Sequence, residues 1–163
     1  MSADEDSLTP FHVFNFTVDF YEDSLDSDNE TTNNLHLCGG AFSECTGLEA
    51  TMEPKVIREG GRNYGVAQRA GGVIFATVIL KRGITTNRDM WNWFEAFTRD
   101  GWYAKRATAY ITMNNTAQEI VMTWKLINTI PIKFKSADLN AKGTEVGIEE
   151  LHLAHEGIEL VQV

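Results

Sequence analysis

The chain is poor in the residues that staple, break or anchor a structure. It has two cysteines, Cys38 and Cys45, in one short stretch and outside any C-x-x-C pair, so no disulfide framework is encoded. In a reducing compartment both read as small buried hydrophobes. Three prolines and 13 glycines exclude collagen-like and proline-rich classes. The longest nearly unbroken apolar run covers residues 73–80 and is interrupted by Thr77. A membrane-spanning helix needs about 20 apolar residues, so none is encoded. The first six residues, Met-Ser-Ala-Asp-Glu-Asp, are acidic where a signal peptide is basic. Synthesis and folding in a cytoplasm are therefore the expectation.

Positive charge is absent from the first third. The first 54 residues hold 12 Asp and Glu and no Lys or Arg; the other 109 hold 11 acidic and 14 basic residues, and the net charge is −9. Such a balance disfavours nucleic-acid recognition, which needs a basic face against phosphates.

What is present is a core. With 163 residues, 43% hydrophobic and 10% aromatic, the chain makes one domain and is not disordered. Residues 1–9 read as a flexible acidic arm and 10–163 as a single domain. Residues 11–20 alternate, with Phe14, Phe16, Val18 and Phe20 on one face of a strand. Residues 22–34 are too polar to pack and read as a long exposed loop. Residues 35–48 suggest a bent strand or strand–turn–strand around Gly39-Gly40. Residues 49–57 form another strand, with Pro54 demoting it to an edge or bend. Residues 58–72, with five glycines, predict a loop or mobile hairpin. Residues 73–80 are apolar on both faces, and Lys81-Arg82-Gly83 ends that strand.

One helix follows, capped by Thr86 or Asn87, with Asp89 in its first turn and Arg99 in its last; Gly101 stops it. Met90, Phe94 and Phe97 recur at i, i+4 and i+7 with Trp91 beside them, so these four are expected to pack on the sheet. Residues 106–113 and 119–127 predict a hairpin across Asn114-Asn115, and Pro131 breaks the run. The last strand, 145–155, slips phase between Val146/Ile148 and Leu151/Leu153, which a bulge near Glu149-Glu150 would reconcile. The fold class is mainly β, a β-sandwich or barrel with one α-helix.

Residues for chemistry are sparse. No G-x-S-x-G elbow or phosphate loop occurs. His152 and His155 fall on opposite faces of a regular strand, so a metal site there would need a bulge, and none is assigned. His12 and His36 lack companions at ligand spacing. Glu149-Glu150 reads as one inward and one outward carboxylate. No catalytic residue and no cofactor is expected. A β core with open edges, a glycine-rich loop and an acidic arm instead suit a chain that contacts its own copies.

Several strings, taken in order, carry a family resemblance. Phe42 to Leu48 resembles F-x-E-x-x-G-L, and Arg58-Glu59-Gly60-Gly61-Arg62-Asn63 resembles R-E-G-G-x-N. Leu80-Lys81-Arg82-Gly83 resembles L-K-R-G, ahead of the Trp-rich helix. Trp124, Asn128 and Pro131 follow a W…N-x-x-P pattern, and Glu149 to Gly157 resembles E-x-L-x-L-A-H-E-G. Together, over about residues 11–158, they resemble the tail tube proteins of contractile phages and the inner-tube proteins of extracellular contractile injection systems. The departures are the long acidic stretch 22–34 and Asn114-Asn115 where a glycine turn is more usual.

The resemblance implies a fold similar to the type VI secretion tube ring protein. It implies hexameric rings stacked head to tail into a hollow tube within a sheath, together with baseplate, initiator and terminator proteins. DNA or effector cargo would pass through the lumen without specific binding, and no reaction would be catalysed. The residues expected between rings are Arg58, Glu59, Gly60, Gly61, Arg62, Asn63 and Arg69. The alternatives are a tube-initiating protein at the baseplate, a β-sandwich binding module using Trp93 and Trp102, and a metal enzyme around His152 and His155.

Overall fold

The computed structural model describes residues 15–22, 36–99 and 106–161, of which 36–41 by backbone only. The acidic arm 1–9, most of the acidic stretch 22–34, Phe14, His12 and Trp102 lie outside the described residues.

Twelve strands and one helix follow in order: β1 Asn15–Glu22, β2 His36–Ala41, β3 Glu44–Thr46, β4 Ala50–Met52, β5 Lys55–Ile57, β6 Ala67–Arg69, β7 Val73–Phe75, β8 Val78–Gly83, α1 Asp89–Arg99, β9 Ala107–Asn114, β10 Ile120–Lys135, β11 Ile148–Ala154 and β12 Gly157–Val161. Eight strands form one antiparallel sheet in the order β2-β1-β9-β10-β11-β8-β3, with β12 also paired to β10. The chain is mainly β, in line with its alternating hydrophobic pattern. Val18 and Phe20 on β1 meet Ile111 and Ala109 on β9 in register. All four are buried, as period-two alternation with one covered face requires.

β10 departs most from the sequence expectation. Pro131 does not end it; the strand runs 16 residues to Lys135. Its first part pairs with β9 and β12, its last part with β11. Two irregularities interrupt its ladders in this half. The first lies between Leu126 and Thr129, where Asn128 takes a left-handed φ of 51°. The second lies between Pro131 and Lys133. Proline lacks the ladder donor, and strands tolerate it at such bulges. Here Pro131 is fully buried.

The bulge expected at Glu149-Glu150 is absent. β11 pairs with β8 without a shift, from Ile148↔Gly83 to Leu153↔Val78. The phase slip has a simpler cause: Val146 and Ile148 are exposed, while Glu149, Leu151 and Leu153 point inward. β8 also continues through Lys81-Arg82 to Gly83 instead of stopping before them. The predicted last strand is β11, and a further strand that was not expected, β12, follows it after Glu156, whose amide donates to the Ile127 carbonyl at 2.9 Å. Residues 35–48 do form strand–turn–strand, but the break falls after Ala41; Gly39 and Gly40 pair within the ladder.

The β9–β10 hairpin turns where expected. The Asn115 side-chain oxygen accepts from the amides of Ala117 and Glu119 at 2.9 and 3.0 Å, closing the loop.

Helix α1 is capped by Asn87, whose side-chain oxygen accepts from the Asp89 amide at 3.1 Å. Its buried residues are Met90 and Trp93. Trp93 stands 4.9 Å, centroid to centroid, from Phe20. Trp91 is 42% exposed and lies 5.3 Å from the ring of Phe134 on β10. Phe94 also reaches Phe134, at 6.5 Å, and Phe97 is partly buried. The deep tryptophan is therefore Trp93, and Trp91 is the peripheral one.

Candidate functional site

Residues 50–75 leave the sheet as an arm. β4 pairs with β7 and β5 with β6, in two short ladders separated at Pro54. The glycine-rich stretch thus includes a regular hairpin and a tip. Gly47, at φ 89°, lies against the Thr77 carbonyl where the arm departs, and the Ala76 amide donates to the Glu49 carbonyl at 3.1 Å. At the tip the Arg62 amide donates to the Glu59 carbonyl at 3.3 Å, with Gly61 at φ 83° closing the turn.

All seven residues singled out in sequence fall on this arm. Arg58, Glu59, Gly60, Gly61, Arg62 and Asn63 form the exposed tip, and Arg69 lies below it, exposed on β6. Arg62 and Glu59 approach to 3.7 Å with about half of each side chain in solvent, a pair that contributes little on its own. Lys55 stands opposite Arg69 in the ladder, so the arm carries like charges face to face. Apolar side chains are exposed along it as well, including Met52, Val56, Tyr64 and Ile74. Three-residue ladders with such faces are marginal alone and gain from a covering partner.

Gly71 makes the arm testable separately from the sheet. A Cβ there would collide with the Glu53 carbonyl oxygen. Gly71→Ala is expected to leave the melting of the sheet unchanged and to abolish hydrogen-exchange protection within residues 50–75; equal protection in both proteins would refute this placement of the strain.

The main sheet also ends in open borders. Among the described residues, β2 pairs only with β1, β3 only with β8 and β12 only with β10. Each presents a second side with backbone groups available to another chain.

A third feature was missed in sequence. Arg82 is 7% exposed. Its Nε donates to Glu149 Oε1 at 2.7 Å, and its Nη2 to Asp89 Oδ1 at 2.6 Å and the Asn87 carbonyl at 3.3 Å. The guanidinium also lies over the Phe42 ring, 5.8 Å from its centroid. One side chain thus ties β8 to β11 and to the start of α1. Burial opposes its charge, but hydrogen bonds to Asp89 and Glu149 outweigh that and raise its pKa. Parity could have revealed it: Arg82 shares the inward phase of Val78 and Leu80, as Glu149 shares that of Leu151 and Leu153.

The histidines do not converge. His152 Nε2 meets Glu150 Oε2 at 3.2 Å, while His155 Nδ1 meets the Gly157 carbonyl at 3.1 Å with its ring against Phe75. Among the described residues no three His, Cys, Asp or Glu side chains come together as metal ligands do. Trp93, offered in the binding-module reading, is taken up by the core. Cys45 is free and lines an apolar cavity of about 220 Å³ with Phe16, Leu48 and Trp124; burial pushes its thiol up to about 11, away from nucleophilic use.

Open borders, a protruding arm and an ion-pinned helix define a β module built to join others. The chain belongs to the family of the T4-like virus tail tube protein gp19, whose family model matches residues 12–159. It is a structural tube subunit. A solved chain in the 6-fold symmetrised cryo-EM structure of the anti-feeding prophage baseplate is 26% identical, with 94% of this chain and 96% of that one covered and a TM-score of 0.79. A chain in the sheath–tube complex of the extracellular contractile injection system PVC, in its extended state, is 17% identical, covering 100% and 99%, with a TM-score of 0.76. The tube-terminating cap of the anti-feeding prophage supplies another fold match, at 17% identity over 100% of both chains and a TM-score of 0.73. A search of curated proteins found no match.

Proposed function

We propose that the chain is the repeating subunit of a hollow inner tube, closing edge to edge into hexameric rings that stack head to tail inside a sheath. Cargo, DNA or an effector, would pass through the lumen without specific binding and without catalysis. The subunit would be made in the cytoplasm and built into a virion tail or an injection particle. The observation that carries this reading is the tube-family match over residues 12–159 on a sheet whose described borders have no second partner. Pairing of those borders between copies would satisfy the free backbone groups.

Negative-stain microscopy of the purified protein at rising concentration tests it: cylinders of uniform bore are expected, and a persistent monomer at all concentrations would refute it. In this reading the arm residues from Arg58 to Asn63, with Arg69, meet the neighbouring ring. Arg62→Glu is expected to leave melting unchanged and to shorten or abolish the tubes, because it reverses charge at an exposed tip. Tubes as long and abundant as those of the parent protein would remove charge complementarity from the account.

A baseplate tube initiator of the same fold is the second reading, favoured by the baseplate structure among the matches. Copy number per particle separates the two: many rings for the tube, one for an initiator.

A further inference from the structure

The loop between β10 and β11, residues 136–147, encloses an open cleft of about 530 Å³ that neither the sheet nor the arm of the same chain fills. Its walls mix charge and apolar surface. Asp138, Glu145 and Glu150 line it together with Lys135 and Lys142. Of its apolar lining residues, Val146 is 79% exposed and Ile148 47%. Side chains of this kind seldom stand so free on a finished surface, and their clustering marks a contact site.

The position of the cleft within the fold identifies what it contacts. β8 runs from Val78 to Gly83, roughly 17 Å at about 3.3 Å per residue. The arm leaves from its first end, where Thr46 pairs with Ile79 and Gly47 abuts Thr77. The cleft opens at its other end, where Gly83 pairs with Ile148 and the Ile84 amide donates to the Gly147 carbonyl at 2.9 Å. Projection and hollow therefore sit at opposite ends of one strand. That is the arrangement a head-to-tail contact requires, since its two faces must differ and complement each other.

Charge agrees. Residues 50–75 carry four basic and two acidic side chains within a chain of net charge −9, and the cleft is lined by three carboxylates against two ammonium groups. The arm's exposed Tyr64 and Val66 supply apolar surface to meet Val146 and Ile148.

From this placement we infer that the 136–148 cleft is the socket for the arm tip of a second copy of this chain. The inference rests on the tube reading and adds its receiving surface. Insertion covers the exposed aliphatic side chains of both parts and gives the two short arm ladders the packing they lack.

The test replaces Tyr64 with photoreactive benzoyl-phenylalanine in full-length protein. Labelled chains are mixed with isotopically heavy unmodified chains, assembled and irradiated, and the cross-linked peptides are read by mass spectrometry. A light-to-heavy link into residues 135–150 is expected; links from intact tubes into any other segment overturn the socket while leaving the tube reading standing. If no tubes form from unmodified chains, the tube reading falls and the socket with it. As a second measurement, Val146→Asp is expected to lower tube yield about tenfold or more without changing the melting of the unassembled protein. Full tube yield from that variant would overturn the inference.

Discussion

Arg82→Ala is expected to destabilise the protein by about 3–5 kcal/mol, the usual cost of removing one member of a buried ion pair. The substitution strands Glu149, whose side chain is 11% exposed, and takes from Asp89 its 2.6 Å partner. It also detaches the start of α1 from β8 and β11. The sign with pH follows from the raised pKa of Arg82: its contribution is fully present below the ordinary arginine range, so the loss should be the same across neutral and mildly alkaline pH. Urea unfolding of the unassembled subunit measures it. The companion is Arg82→Met with Glu149→Leu, which removes both buried charges and should regain much of the loss, because apolar replacements of similar volume are often tolerated. A single substitution costing under about 1 kcal/mol would mean that the bridge is not what seats the helix.

The second large effect lies on the helix. Trp93→Ala is expected to cost about 3–5 kcal/mol, as for other large aromatic truncations in cores, whereas Trp91→Ala should cost about 1 kcal/mol or less. Trp93 is 4% exposed and packs on Phe20; Trp91 is 42% exposed beside Phe134. Equal losses, read from the same urea midpoints, would put the sheet-facing side of α1 elsewhere.

These two sites show where the sequence was legible. Alternation along β1 and β9 could be read directly, because one covered face in an antiparallel pair leaves a period of two. The helix, its Asn87 cap and the Asn115 turn were equally readable, being local in cause. The sequence stripe took in Trp91, which meets Phe134 on β10, while the buried tryptophan is Trp93. At about 100° per residue, Met90, Phe94 and Phe97 centre one direction, from which Trp93 lies about 70° to one side and Trp91 about 90° to the other, too similar for periodicity alone to separate. Arg82 was passed over because charge at a strand end reads as solvated, although it keeps the inward phase of Val78 and Leu80 and stands opposite Glu149. Pro131 misled for a related reason. Whether proline ends a strand depends on which neighbour needs its missing donor, and Pro131 sits at a register shift in the β10–β11 ladder. Of the two proposed assembly surfaces, the arm was visible as a glycine-rich, basic segment. The cleft was not, since it depends on two distant strands ending at the same level.

The sharing of β10 has a mechanical corollary. One continuous backbone is stitched to β9 and β12 along its first stretch and to β11 along its last. A wall made of two separately bonded halves would have a seam, and load would part it there. With a single strand threaded through both, shear on either half is passed along covalent bonds into the other, so the subunit resists tearing as one piece.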